Sequence, residues 1–336
     1  MLRAVLLSLS VMFAGSALAQ TTLNVYSAME PDEVKTWTAR FTADNPDINL
    51  NVIRGSTGIM WARILAEKDK PQADVIWRIA NLALINFGEM GMLEPYTPKD
   101  ATTIDAVYVD KKRPMQWVGH SGYFAAMCFN TVEAQKKNVP QPTSWRDLAK
   151  PVYKGLIVMP NPSSSGTGFI MVSSWIQLFG EAEAWKFMDA LHENVGQYVH
   201  SGSRPCQLAA TGEFTVGLSF SYRGSKLKTS GAPIELIFAR EGAGWDLEGS
   251  AILKGTKNLP AAKRFMDWVA SANAMKLYSE EYAIVSRPTF AKPAPFHPAD
   301  ISKVLIKNDF DWAAANRDRI LTEWMRRYDS KSAPKT

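Results

Sequence analysis

Residues 161–169 read Asn-Pro-Ser-Ser-Ser-Gly-Thr-Gly-Phe, between an apolar strand-like run at 155–159 and a helical pattern that begins near Ile170. A strand-to-helix turn of this kind presents several backbone N–H groups at a helix N-terminus, where the positive end of the helix dipole also points. Ser163, Ser164, Ser165 and Thr167 add hydroxyl donors, and Gly166 and Gly168 let a ligand approach the main chain closely. The chemistry such a turn can do is anion binding. The same residues are equally suited to capping the helix and filling the turn.

A second hydroxyl-and-glycine turn, Arg54-Gly-Ser-Thr-Gly58, precedes another helical stretch, 59–68. The elements around these turns alternate. Residues 23–26, 48–53 and 73–77 read as strands, and helical patterns follow them through Phe41, over 59–68 and over 80–90. Strands alternating with helices predict a parallel sheet covered on both faces, whose ligands gather at the carboxyl ends of the strands. Ser27 and Trp77 stand at two such ends. From Gln116 the chain turns β-rich, with 123–129 the clearest strand. A helix is expected over 170–191, a short one over 206–212, and strands over 216–222, ending on the Tyr222 hydroxyl, and over 234–238. A glycine-rich link at 242–244 leads to Trp245 and Asp246, followed by a short strand at 251–253 and helices over 261–271 and 312–328. The order fits an α/β protein of two lobes with a ligand cleft between them. Residues 21–119 with 245–336 would form lobe 1, and 120–244 the inserted lobe 2.

The chain has 336 residues, 46% hydrophobic and 21% charged, enough for two compact cores. Residues 1–20 stand apart: Arg3, an apolar run over 4–13 and Ala17-Leu18-Ala19 have the form of a secretory signal peptide. Export predicts a periplasmic, soluble protein. Its formal net charge of +5 falls by one with the loss of Arg3, and the basic residues are scattered, which argues against a nucleic-acid partner. Two cysteines, Cys128 and Cys206, make one disulfide possible in an oxidising compartment, two free buried thiols being the alternative. Enzyme motifs are incomplete. Gly119-His-Ser-Gly122 is followed by Tyr123 rather than by the last residue of a nucleophile elbow. The histidines, His120, His192, His200 and His297, have no metal spacing, and no Walker-type loop occurs. A binding protein without cofactor or metal is expected; a secreted hydrolase is the distant alternative.

Several stretches together resemble the type 2 periplasmic substrate-binding proteins of ABC transporters, in the branch that binds 2-aminoethylphosphonate and is similar to the ferric-iron-binding proteins. They are Arg54-Gly-Ser-Thr-Gly-Ile59, Leu65-Ala-Glu-Lys-Asp69, Pro71-Gln-Ala-Asp-Val75, Cys128-Phe-Asn-Thr-Val132, Pro142-Thr-Ser-Trp145, Val158-Met-Pro-Asn-Pro162, Ser164-Ser-Gly-Thr-Gly168, His200-Ser-Gly-Ser203, Gly244-Trp-Asp-Leu-Glu248, Ile306-Lys-Asn-Asp-Phe310 and Trp312-Ala-Ala-Ala-Asn-Arg-Asp-Arg-Ile320. The resemblance covers essentially the whole mature chain. It implies a monomer that captures a small ligand and passes it to an inner-membrane ABC permease.

Relatives that hold ferric iron use two adjacent tyrosines, a histidine and a glutamate; here Phe220-Ser221-Tyr222 keeps one tyrosine, Glu30 stands at the histidine position and Ile79 near the glutamate. The anion turn of those relatives matches Ser165-Gly166-Thr167. The resemblance therefore implies a metal-free site for 2-aminoethylphosphonate, or else for another small anion, a polyamine or a ferric complex. Ser164, Ser165, Gly166 and Thr167 would hold the phosphonate oxygens, with Ser56 and Thr57 reaching from the other lobe. Glu30, Asp246 and Tyr222 are candidates for the ammonium, with Trp77 or Trp245 as the wall. Glu30 could instead serve only its helix dipole, and Asp246 the hinge. Arg78 departs from the small residue expected after Trp77, and could either enter the cleft or point outward.

Overall fold

A computed structural model describes residues 20–334 of the chain; the expected signal peptide, but for Gln20, lies outside them. The first part runs β1 (Thr21–Ser27), α1 (Pro31–Asp44), β2 (Ile48–Arg54), α2 (Thr57–Ala66), β3 (Val75–Ala80), α3 (Asn81–Glu89) and the short β4 (Leu93–Glu94). The middle part is β5 (Val118–Asn130), α4 (Thr131–Lys137), β6 (Ile157–Pro160), α5 (Gly166–Phe179), α6 (Glu181–Asn194), β7 (Val195–Val199), α7 (Arg204–Ala210), β8 (Val216–Phe220), α8 (Ser221–Thr229) and β9 (Ile234–Ile237). The last part is β10 (Trp245–Leu253), α9 (Leu259–Val269), α10 (Ala272–Glu281), β11 (Ile284–Val285) and α11 (Phe310–Tyr328). Among the described residues no helix is long and apolar enough to cross a membrane.

The strands follow one another in the order β2-β1-β3-β10-β5-β8-β6-β7, with β4, β9 and β11 at the sides. β1 pairs in parallel with β2 and β3, and β6 in parallel with β7 and β8, as strand–helix alternation requires. Two lobes arise because β5 is shared. Residues up to Phe124 pair with β10, and from Ala125 onward the same strand pairs with β8. β5 is buried along its whole length, and so is β3, as befits central strands covered on both faces. Aromatic side chains fill both cores. Trp77 meets Phe265 and Trp268 edge-on at 5.3 and 5.8 Å in the first, and Trp175 meets Trp145 and Phe187 at 5.6 and 5.1 Å in the second.

Three local expectations are corrected. The single helix over 170–191 is two, because Gly180 takes a φ of +76°, a left-handed conformation that ends α5 and starts α6. The strand expected to reach Tyr222 stops at Phe220, and Ser221 and Tyr222 already wind into α8. The short strand expected over 251–253 begins earlier, because Trp245 and Asp246, to which the 242–244 link leads, open β10, a strand of nine residues held by β3 and β5. The tail adds a connection that strand–helix order does not foretell. α11 packs on α3 and on α5, and beyond it Ala333 donates its N–H to Tyr198 of β7 at 2.7 Å.

Cys128 and Cys206 are bridged, with their Cα atoms 5.3 Å apart, and the bond ties β5 to α7 within a small apolar cluster that includes Ala209 and Ile234. Closing a loop across 78 positions contributes roughly 4 kcal/mol in the chain-entropy account. The Cys128→Ala, Cys206→Ala double variant is therefore expected to lose about that much stability in urea unfolding. An unchanged unfolding midpoint would show that the bridge restrains nothing that matters.

Candidate ligand-binding site

Where the two sheets meet, the carboxyl ends of the strands enclose a cavity of about 50 Å³. Its wall contains the residue that precedes each of five helices: Glu30 before α1, Ser56 before α2, Ala80 before α3, Ser165 before α5 and Phe220 before α8. Each helix turns the positive end of its dipole towards the same small space. An anion there would be favoured from five directions.

α2 and α5 face each other across the seam. The Gly58 N–H donates to the Ser164 carbonyl at 3.0 Å, and Ser56 Oγ donates to the His200 carbonyl at 3.2 Å, so the lobes are drawn together by hydrogen bonds at the rim of the cavity. Only glycine fits at the closest approaches. A Cβ on Gly58 would lie 2.1 Å from the Ser163 carbonyl oxygen, and one on Gly166 2.9 Å from Thr57 Oγ1. Ser165 Oγ accepts the Gly168 N–H at 3.3 Å as the α5 cap, which leaves its own proton free to donate. The Gly166 and Thr167 N–H groups belong to the first turn and lie outside the ladder of the helix. Ser165 and Thr167 are both buried, and Ser201 and Gly202 close the wall beside them.

The opposite end of the cavity is built of carboxylates and guanidiniums. Glu33 is buried, accepts the Tyr282 hydroxyl at 2.7 Å and the Glu30 N–H at 2.7 Å, and lies 3.6 Å from Arg78. Burial pushes the Glu33 carboxyl above its usual range, against the pull of Arg78 and the Tyr282 hydrogen bond. Glu248 accepts the Ser121 hydroxyl at 3.1 Å and pairs with Arg78. Glu30 pairs with Arg223 at 2.9 Å. Arg54 lines the cavity as well and donates from Nε to the Met29 carbonyl at 2.9 Å.

Of the residues singled out in the sequence, Glu30, Ser56, Thr57, Ser165, Gly166 and Thr167 come together on this wall. Six do not. Ser164 spends its hydroxyl on His200 Nδ1 at 2.8 Å, while His200 Nε2 donates to the Ala333 carbonyl. Ser27 is buried and accepts the Met29 N–H at 3.1 Å. Trp77 lies wholly in the lobe 1 core and donates to Tyr278 Oη at 3.3 Å. Trp245 donates to the Ile306 carbonyl at 3.0 Å and packs edge-on against Phe310. Tyr222, turned by the first turn of α8, contacts Glu281 and Lys226 and stacks behind Tyr282 with ring centroids 4.8 Å apart; Phe220 takes its place at the cavity. Asp246 is fully buried, accepting the Leu247 and Leu82 N–H groups at 2.7 and 3.4 Å, and burial pushes its carboxyl up to about 8. It borders a separate gap of about 10 Å³ that shares Thr57, Ala80, Ser165 and Gly166 with the main cavity.

Tyr123, Ser201, Gly202 and Glu248 also line the cavity. They sit within or beside stretches already conspicuous in the sequence, and only their roles were unassigned. Glu33 and Tyr282 carried no such signal. Glu33 looks like an ordinary first-turn acid of α1, and Tyr282 reaches the site from the far end of α10. Among the described residues no group of three or more His, Cys, Asp or Glu side chains could hold a metal ion.

Comparison with known proteins agrees with the two-lobe geometry. Residues 70–318 match the family described as bacterial extracellular solute-binding protein. An uncharacterised protein of Haemophilus influenzae is 33% identical over 332 residues, covering 95% of this chain and 94% of its own. The probable ABC transporter periplasmic-binding protein y4fP of Sinorhizobium fredii is 26% identical over 309 residues, covering 89% and 83%. The solved structure of the periplasmic binding protein AfuA of Actinobacillus pleuropneumoniae, with exogenous fructose-6-phosphate bound, superposes with a TM-score of 0.86 at 30% identity, covering 92% of this chain and 99% of that one. The chain thus belongs to the bacterial extracellular solute-binding protein family.

Proposed function

We propose that the chain is the periplasmic binding protein of an ABC importer and that it captures a small organophosphorus anion, with 2-aminoethylphosphonate the leading cargo. The observation that carries this reading is the convergence of five helix N-termini on one cavity. Each such terminus favours an anion by about 0.3–1 kcal/mol, and more when partly buried. A phosphoryl group offers three acceptor oxygens, which the Gly166 and Thr167 N–H groups and the Thr57, Ser165 and Thr167 hydroxyls can satisfy together, while Ser56 spends its proton on the His200 carbonyl. Lobe 1, residues 21–119 with 245–336, would bring α2, and lobe 2, residues 120–244, would bring α5; closing them would deliver both halves of the cradle.

Size favours a short tail. A volume of about 50 Å³ holds on the order of four waters, so a two-carbon phosphonate suits the lobes as they stand, and a hexose phosphate would need them wider apart. Of the carboxylates expected to meet the ammonium, Glu30 is the one that lines the cavity, where it is paired with Arg223. The second reading, a sugar phosphate, is favoured by the fructose-6-phosphate of AfuA and by acceptors at the far end that would suit hydroxyls. Titration of the mature protein with 2-aminoethylphosphonate, fructose 6-phosphate, inorganic phosphate, putrescine and ferric citrate distinguishes them. Tight one-to-one binding of 2-aminoethylphosphonate is the expected result, and heat only with putrescine or ferric citrate would end the organophosphorus reading.

Two variants test the cradle. Ser165→Ala with Thr167→Ala is expected to weaken phosphonate binding at least tenfold, about 1.4 kcal/mol, in the same titration. Full affinity in that double variant would remove the α5 turn from the site. Gly58→Ala should leave both lobes folded but keep them from seating, because its Cβ would meet the Ser163 carbonyl oxygen. Small-angle scattering of the ligand-saturated variant should then report a larger radius of gyration than the saturated wild type; equal radii would show that α2 and α5 need not meet.

A further inference from the structure

Arg78 sits within β3, at the irregularity where the strand's pairing with β10 skips a residue, in a left-handed conformation, φ +56°, where glycine is the residue that fits without cost. Its carbonyl accepts the Ala28 N–H at 3.0 Å, which fixes the turn, and its side chain is fully buried. It neither enters the cavity nor points outward. The guanidinium lies over the rings of Tyr282 and Trp37, at 4.2 and 4.3 Å, and within 5.6 Å of Tyr278. None of its nitrogens makes a hydrogen bond of good geometry, so what holds it is charge: the pair with Glu248 and the approach to Glu33.

A buried cation is costly unless paired, and removing one partner of such a pair leaves the other uncompensated. Burial works against the Arg78 charge, yet Tyr282 and Glu33 hold its pKa above the ordinary arginine value, so it remains a cation. Glu33, Glu248 and Tyr282 line the cavity, which puts Arg78 directly behind that wall. The third carboxylate there, Glu30, already faces Arg223. No carboxylate at the far end is therefore left without a counter-charge. A ligand ammonium would find its attraction offset by the guanidinium behind, whereas a ligand hydroxyl needs only an acceptor lone pair, and those remain.

We infer that Arg78 is a specificity-determining residue that, by holding one positive charge against Glu33 and Glu248 from behind, makes the cavity accept short phosphonates or phosphate esters with an uncharged hydroxyl tail at least as well as those with an ammonium tail. This rests on the reading that the helix N-termini hold the phosphoryl group. 2-Aminoethylphosphonate and 2-hydroxyethylphosphonate form a matched pair, differing only at the tail. The wild type should bind the hydroxyl member at least as tightly as the amine. Arg78→Met, which keeps an unbranched side chain among the aromatic rings, should move the ratio of the two dissociation constants at least tenfold towards the amine, and Arg78→Lys should stay within threefold of wild type. An unchanged ratio in folded Arg78→Met, or a wild type that prefers the amine tenfold, overturns the inference.

Should Arg78→Met fail to fold, Glu248→Gln removes the partner and leaves the cation. The ratio should then move at least threefold towards the hydroxyl member, and no movement overturns the inference. If the wild type binds neither phosphonate, the organophosphorus reading fails. Arg78 is then judged with putrescine: at least tenfold tighter binding by Arg78→Met than by wild type upholds its role, and equal binding overturns it.

Discussion

Closing two lobes over a cavity into which five helices point their positive ends is unfavourable while the cavity is empty of anion, and the rest of the architecture follows from that constraint. Strand–helix alternation delivers helix N-termini to the carboxyl edge of each sheet, and the shared strand β5 turns the two edges towards each other. Small and hydroxyl residues then become obligatory at the edge. Gly58 and Gly166 permit the approach, while Ser56, Thr57, Ser165 and Thr167 supply donors that do not fill the space. Nothing bulkier could stand at the closest contacts without holding the lobes apart.

The far end meets the same constraint with the opposite sign. Three carboxylates in a small buried volume would repel one another, and the protein answers with cations placed behind and beside them, Arg78 and Arg223. The aromatic cage around Arg78 does more than fill the core. Ring faces stabilise a desolvated guanidinium that has few hydrogen-bonding partners, which is why Trp37, Tyr278 and Tyr282 lie where a ligand wall might have been looked for. Trp77, one layer further in, packs on aromatic neighbours and never reaches the ligand side.

Local chemistry and short-range pattern made much of this legible in advance. The Ser56-Thr57 and Ser165-Thr167 turns stand out as hydroxyl-and-glycine switches from strand to helix, suited to an anion as much as to a cap, and both meet at the cavity. Tyr222 shows where the pattern runs out. An apolar run ending on a tyrosine reads as strand to the last residue, but β8 stops two residues early and the first turn of α8 swings the phenol behind Tyr282. Glu33 and Tyr282 were out of reach for a different reason. They are 249 positions apart and become one hydrogen-bonded unit only when α1 and α10 pack together. Asp246, expected either at the ligand or at the hinge, is held by the N–H groups of Leu82 and Leu247 and is pushed by burial towards its neutral form, and it holds the start of α3.

Direct closing contacts include the Gly58 to Ser164 and Ser56 to His200 hydrogen bonds at the rim, each worth only about 1 kcal/mol net, and the Glu30–Arg223 pair at the far end. A ligand can shift the lobe equilibrium by no more than its preference for the closed form. The His200 imidazole ties this balance to the tail of the chain, since it bonds Ser164 on one side and the Ala333 carbonyl on the other. Residues beyond α11 thereby brace the α5 turn from outside, through His200 and through the Asn161 amide, which donates to the Ser332 hydroxyl at 2.9 Å.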